Sequence, residues 1–215
     1  MDKTIIENIV TQVLAELAAK PTAIPVELSA RHVHLAQADI DALFDGHLTP
    51  AKELSQPGQF LSKERVRLIG PKGVIDNVAV LGPARPESQV EISLTDARIL
   101  GMDTPVRQSG EIRDTPGIVL SSHKGIVGLE QGVIVAGRHI HMPAKDAAGF
   151  NVKDGDLIKV RMNSSRPVVM EDVLVRVSDN FNLAMHIDFD EGNACGWKQG
   201  VPGTIVTNQE KAVEL

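Results

Sequence analysis

The chain has a single cysteine, Cys195, in 215 residues, which excludes an intrachain disulfide and fits a reducing compartment. Basic charge is also short: 22 Lys and Arg face 28 Asp and Glu, for a net charge of −6. Backbone binding to nucleic acid needs clustered Lys and Arg, so a nucleic-acid coat is a poor reading. An anionic small molecule would need a local positive site, from a metal or a few Arg side chains. No stretch of about 18 apolar residues exists to span a membrane. Nor is the chain long enough for a barrel of eight β/α units, which takes about 250 residues. What remains is an ordinary globular composition, 42% hydrophobic and 23% charged, with seven histidines.

Residues 1–20 place Ile5, Ile6, Ile9, Val10, Val13, Leu14 and Leu17 at helical spacing among Glu7, Asn8, Gln12 and Glu16. This predicts an amphipathic helix, ended by Pro21. Acidic residues interrupt every apolar run, so it is no secretory signal, and a cytosolic protein is expected. From Val26 the pattern turns to short β-type runs punctuated by Gly and Pro, at 66–69, 74–80, 89–94, 118–120, 132–136, 157–162, 168–177 and 183–187. Short helices are expected at 36–43, 95–100 and 143–148. The fold class is mainly β.

The chain also repeats itself. Glu27–Leu35 (ELSARHVHL) matches Ile134–Met142 (IVAGRHIHM), and Val90–Gly101 (VEISLTDARILG) matches Met185–Gly196 (MHIDFDEGNACG). Glu91 therefore stands where His186 stands. The first His lies 59 residues before that position in the first half and 47 in the second. Two related β-barrel modules are the simplest account: 31–136, and 137–215 completed by a strand from 22–30.

On a strand, residues i and i+2 face the same side, so His-x-His can chelate. Each module then offers a triplet: His32, His34 and Glu91, or His139, His141 and His186. Three N/O ligands with a vacant fourth position is the pattern of catalytic zinc, whereas structural zinc is usually closed by four ligands. An isolated His-x-His is more often a pair of hydrogen-bonded surface or core residues; its duplication at matched places favours metal. His47 and His123 sit in turn-like contexts and read as solvated. Arg31 and Arg138 precede the His pairs and should point away, towards carboxylates at a rim. Arg85 lies in a Gly/Pro turn, Leu81–Pro86 (LGPARP), that should return it to the metal end of the next strand, and Arg suits phosphate. Cys195 matches Leu100 and reads as packing, as does Trp197.

The ordered set Ser29–Leu35, Gln56–Gln59, Gly70–Gly73, Gly82–Arg85, Val90–Ser93, Thr95–Arg98, Thr115–Ile118, Gly137–Met142 and Met185–Asp188 resembles the phosphate propanoyltransferases, the phosphotransacylases of bacterial microcompartments. The resemblance spans about residues 20–200. It implies two tandem β-barrels with a dinuclear zinc site where they meet, two Zn²⁺ per chain held by the two triplets, and Arg85 as the catalytic arginine. It implies the reaction acyl-CoA plus phosphate giving acyl phosphate plus CoA, with Ser29 and Asn193 near the coenzyme. It further implies that residues 1–20 target the enzyme into a microcompartment of the bacterial cytoplasm through shell or core proteins, as in propanediol degradation. Ala79 departs from the pattern, since similar sequences can carry Arg there, which leaves Lys52 or Lys72 for the CoA phosphates.

Rival readings exist. A cupin-like metal oxygenase also uses His-x-His, Glu and His, but its Glu follows the pair by a few residues, and here Glu91 comes 57 after His34. A zinc hydrolase would use the open position to activate water. A non-enzymatic metal-binding module of a protein shell would show closed coordination and no CoA affinity.

Overall fold

The computed structural model describes residues 23–206. The helix expected at 1–20 and residues 207–215 lie outside that range. The strands in chain order are β1 (Ile24–Leu28), β2 (His32–Ala36), β3 (Pro50–Glu53), β4 (Phe60–Ile69), β5 (Val74–Arg85), β6 (Gln89–Glu91), β7 (Val106–Arg107), β8 (Ile118–Ser121), β9 (Ile126–Leu129) and β10 (Val133–Ala136). They continue with β11 (His139–Met142), β12 (Leu157–Met162), β13 (Val169–Val177), β14 (Ala184–Ile187) and β15 (Pro202–Ile205). Four short helices are interspersed: α1 (Gln37–Leu43), α2 (Leu94–Leu100), α3 (Ala144–Phe150) and α4 (Phe189–Cys195).

The strands form two bodies. One is a closed six-stranded barrel in the order β1-β14-β11-β13-β12-β15; the other is an open nine-stranded sheet, β7-β10-β6-β2-β5-β4-β8-β9 with β3 on β4, forming a half-barrel. The nine-stranded body is the half-barrel: its terminal strands β7 and β9 do not pair with each other. Each has its own core: Val33, Leu35, Leu68, Val80, Val90 and Leu120 in the half-barrel, Ile140, Met142, Val160, Val173, Val175 and Met185 in the barrel. Each such buried side chain contributes roughly 1.5–3 kcal/mol relative to exposure.

The repeat is visible in the pairing. β2 lies between parallel β5 and antiparallel β6, with His32 opposite Glu91. β11 lies between parallel β13 and antiparallel β14, with His139 opposite His186. The chain crosses between the bodies twice. β1 closes the barrel by pairing with β14 and β15, so Ser29–Arg31 must carry the chain to β2, and Gly137–Arg138 carries it back to β11. Both crossings end on a His-x-His strand, which sets the histidines at the interface.

Two expectations need correction. The run at 89–94 ends at Glu91, because Ser93 caps α2 in a reciprocal capping box with Asp96. Arg85 does not lie in a turn: β5 continues through Pro83 and pairs Arg85 with Ala36. Helix α4 was not expected, yet it copies α2, with a capping box of Asp188 and Glu191 and a left-handed C-cap at Gly196 (φ 62°) matching Gly101 (φ 75°). No helix among the described residues is long and apolar enough to cross a membrane.

Candidate metal centre and active-site cleft

The alternating side chains of β2 and β11 split between core and site: Val33 and Ile140 are fully buried in their cores, while the flanking histidines turn to the interface. The result is two triads, His32/His34/Glu91 and His139/His141/His186, each with ligand atoms within 4.8 Å of one another. In the first, the two Nε2 atoms are 3.2 Å apart, and Glu91 stands 3.5 Å from His32 and 3.8 Å from His34. Ligands at about 2.0–2.1 Å from a tetrahedral zinc stand roughly 3.3–3.4 Å apart, so this spacing fits the ion. In the second triad, His141 Nδ1 and His186 Nε2 are buried without a hydrogen-bond partner. A buried unpaired ring nitrogen is costly, and a cation satisfies it.

The crossing segments orient the first histidine of each pair. His32 Nδ1 meets the Ala30 carbonyl at 2.7 Å, and His139 Nδ1 meets that of Gly137 at 2.9 Å. A ring that donates Nδ1–H to a carbonyl presents the Nε2 lone pair to the site, as metal-ligating histidines do.

The electrostatics keep most of these rings neutral. Burial, then neighbouring His32, lowers His34 to about 3. Burial, then His139 and His186, lowers His141 to about 3, and burial, then His139, lowers His186 to about 4. His139 is lowered by burial as well. His32 differs: burial opposes its charge, but the Glu91 carboxylate outweighs burial and raises it. Burial likewise pushes Glu91 up, and its contacts with His32, His34 and Ser109 overcome that and hold it well below the usual carboxylate range. His186 feels both Glu91 and His32, so the two triads sense each other across the interface.

Around Glu91 lies a network that sequence reasoning missed. Ser109 Oγ donates to Glu91 Oε1 (2.8 Å) and accepts from Arg85 Nη1 (3.2 Å) and Gln89 Nε2 (3.0 Å). One hydroxyl orientation satisfies all three, because the carboxylate only accepts and the other two only donate. Gln89 also donates to Glu91 Oε1 (2.6 Å) and accepts from Gly110 N (2.7 Å).

A second missed residue is Arg176, opposite His141 on β13. It lowers the pKa values of His139, His141 and Arg85, so it stands among them. The signal was available: Asn77–Leu81 (NVAVL) and Asp172–Arg176 (DVLVR) are 95 residues apart, the offset that relates Glu91 to His186. Both begin at a positive φ, 59° at Asn77 and 52° at Asp172, and the shared irregularity within β5 and β13 puts Arg176 where Leu81 stands.

All six triad residues, Arg85 and Arg176 line a cavity of about 1070 Å³. Ser29 and Lys52 line it too. Lys72 instead packs beside Gly101 at the end of α2, and Asn193 is exposed on α4; neither lines the cavity. Arg65 pairs across the sheet with Ala79, and both line the cavity, so a guanidinium stands beside the position that departs from the pattern. Arg31 borders the cavity and makes a two-point contact with Asp96 (3.0 and 2.9 Å), and Arg138 pairs with Glu191 at the equivalent place (3.1 Å). His47 and His123 are exposed. Cys195 is fully buried, and Trp197 donates to the Val26 carbonyl at 3.1 Å.

The family model for phosphate propanoyltransferase matches residues 25–198. The chain is 53% identical over 209 residues to the phosphate propanoyltransferase of Leptotrichia buccalis, covering 95% of this chain and 99% of the relative. Against that of Alkaliphilus metalliredigens it is 52% identical over 206 residues, covering 95% and 97%. Against that of Thermotoga maritima it is 53% identical over 182 residues, covering 83% and 87%.

Proposed function

We propose that this chain, which belongs to the phosphate propanoyltransferase family, transfers a short acyl group, propanoyl first among them, between coenzyme A and inorganic phosphate. The observation that carries the reading is the convergence of two open triads, Arg85 and Arg176 on one cavity of cofactor size. One zinc is held by His32, His34 and Glu91, the other by His139, His141 and His186. When bound, the metals supply Lewis acidity and a site that holds the departing sulfur as thiolate.

The chain's own groups do the rest. Arg85 and Arg176 bind and orient phosphate, whose oxygens match the guanidinium fork, and offset its charge as it attacks the thioester carbonyl. The oxygen–carbon bond forms first, placing negative charge on a tetrahedral oxygen that Arg85 stabilises, and the carbon–sulfur bond then breaks to release CoA as the thiolate. Ser109 holds Arg85 towards the site. It is not a nucleophile, since its proton is committed to Glu91; Cys195 is inaccessible. Ser29, Lys52 and Arg65 contact the coenzyme, with Lys52 and Arg65 serving its phosphates in place of an arginine at 79. Asn193 contacts it from α4, after rearrangement of its exposed side chain. In this reading 31–136 and 137–215 are the two modules, and residues 1–20 carry the enzyme into a microcompartment of the bacterial cytoplasm, docking on shell or core proteins.

The test is CoA release from propanoyl-, acetyl- and butanoyl-CoA with and without phosphate, with metal analysis of the same preparation. Phosphate-dependent release of acyl phosphate and about two zinc ions per chain are expected. Release without phosphate identifies a zinc hydrolase instead. Fusing residues 1–20 to a fluorescent protein in shell-forming cells tests targeting, and diffuse fluorescence refutes it.

A further inference from the structure

A second cavity, of about 440 Å³, reaches the same centre from different elements. It is built from β7, the 108–111 segment, Gly137–Arg138, and parts of β12 and β13. It shares three lining residues with the larger cavity, Ser109, His139 and Arg176. These three therefore form the partition between the two spaces, and each touches or belongs to the reacting constellation already described. The rim is open to solvent at Arg107, Val106 and Leu157.

The lining favours a small anion. Three guanidinium groups, of Arg107, Arg138 and Arg176, border the space against two carboxylates, Glu111 and Asp172. Arg138 is neutralised by Glu191. Arg107 donates only to the Val106 carbonyl (3.1 Å), and neither it nor Arg176 has an ion-pair partner among the described residues. Arg107 at the rim and Arg176 at the partition thus set two guanidinium groups along this cavity, in a protein whose net charge is −6. Low-dielectric walls focus the field of such groups and raise the local anion concentration.

Transfer requires both substrates at once. A thioester bound in the large cavity, of about 1070 Å³, leaves phosphate arriving second to share that mouth with the coenzyme. We propose that the second cavity is the route and holding site through which inorganic phosphate reaches the reaction centre, and acyl phosphate leaves it, while the coenzyme occupies the first. This rests on the phosphate-dependent transfer proposed above.

The experiment compares the zinc-loaded wild type with Arg107→Glu, with Leu157→Trp, which narrows the mouth from the opposite rim, and with Lys63→Glu, an equal change of net charge on β4. Steady-state kinetics with phosphate, and in reverse with acyl phosphate, are combined with calorimetric CoA binding and zinc content. In Arg107→Glu the KM for phosphate should rise about tenfold, with the KM for acyl-CoA, CoA affinity and zinc unchanged. Leu157→Trp should lower kcat/KM for phosphate and acyl phosphate together without affecting CoA binding. An unchanged phosphate KM in both variants, an equal rise in the acyl-CoA KM, or the same effect from Lys63→Glu overturns the route. Absence of phosphate-dependent turnover in the wild type instead overturns the transferase reading itself, so the two failures are distinct.

Discussion

Each half of the molecule frames a His-x-His strand between one parallel and one antiparallel neighbour, and three of the matched positions at which the halves differ border the site. Glu91 in the first is His186 in the second; Gln89 is Ala184; Leu81 is Arg176. The differences are linked by charge. A buried carboxylate needs donors to hold it, and Gln89 and Ser109 supply them; at the matched place Ala184 offers His186 no side-chain partner, and His186 Nε2 is left unpaired. A divalent ion on the first triad keeps one net positive charge and on the second keeps two, before counting Arg176. On the proposed reading, the first triad would hold its metal with the lower net charge and the second would present the stronger positive field. Duplication preserved the frame, and three side chains separated the roles.

The most severe way to break this pairing is to remove one triad. The double substitution His139→Ala/His141→Ala should reduce bound zinc from about two ions to about one and lower activity by roughly 10³ or more, since several kcal/mol of charge stabilisation depend on a metal. Retention of both ions, measured by elemental analysis, would refute the ligand assignment.

Arg85→Ala comes next, with turnover falling about 10²–10³, or roughly 3–4 kcal/mol in the transition state, while zinc content and Tm hold. Arg85→Lys should recover only part of the rate because an ammonium cannot form the two-point contact. Near-normal turnover of the alanine variant at saturating phosphate would leave Arg176 and the metals as the source of stabilisation.

A subtler probe is pH in the metal-free protein. His141 and His186 titrate at about 3 and about 4 when folded, against about 6.5 when unfolded. The folded state binds fewer protons between these limits, so their contribution is complete above pH 6.5 and lost as pH falls towards 4 and below. In the first half His34 behaves alike, but the raised His32 works in the opposite sense, its contribution being present below pH 6.5 and lost as pH rises through its folded value. Hydrogen exchange at pH 7 and pH 5 should therefore show β11 and β14 losing protection before β2 and β6. The reverse order would mean that Glu91 does not buffer its triad.

The smallest expected effect is at the matched core pair Leu100 and Cys195, both fully buried. Cys195→Ala should cost about 1 kcal/mol in denaturant unfolding and leave activity unchanged. Loss of activity there would give the thiol a role that packing does not.

Much of the fold was legible because β-type runs and their punctuation are local. Strand β12 was expected at 157–162, where it is found, and α1, α2 and α3 fall within two residues of their expected bounds. Helix α4 was missed although the repeat that identified His186 also aligned Asp188 with the capping Ser93. Its composition, FDEGNAC, carries little apolar periodicity, and the capping box alone marks it. Strands β7 and β15 are short segments held by partners distant in sequence, while β3 and β9 are four-residue arms of hairpins with β4 and β8 whose alternation is too short to announce them.

The amino-acid sequence by itself determined the two triads, because i, i+2 spacing on a strand and the duplication of Arg-His-apolar-His at matched places are properties of the chain order alone. It also determined the separation of core from site, since Val33 and Ile140 must point away from the histidines that flank them. Tertiary structure alone decided that β1 closes the far barrel, that one body closes and the other stays open, and that Ser109 and Arg176 join Arg85 at the partition of two cavities. Those outcomes depend on contacts between residues up to about 180 positions apart, such as Ile24 with Gly203 in β15 or Val26 with Met185 in β14, where burial and register, set only once both bodies have formed, choose the neighbour.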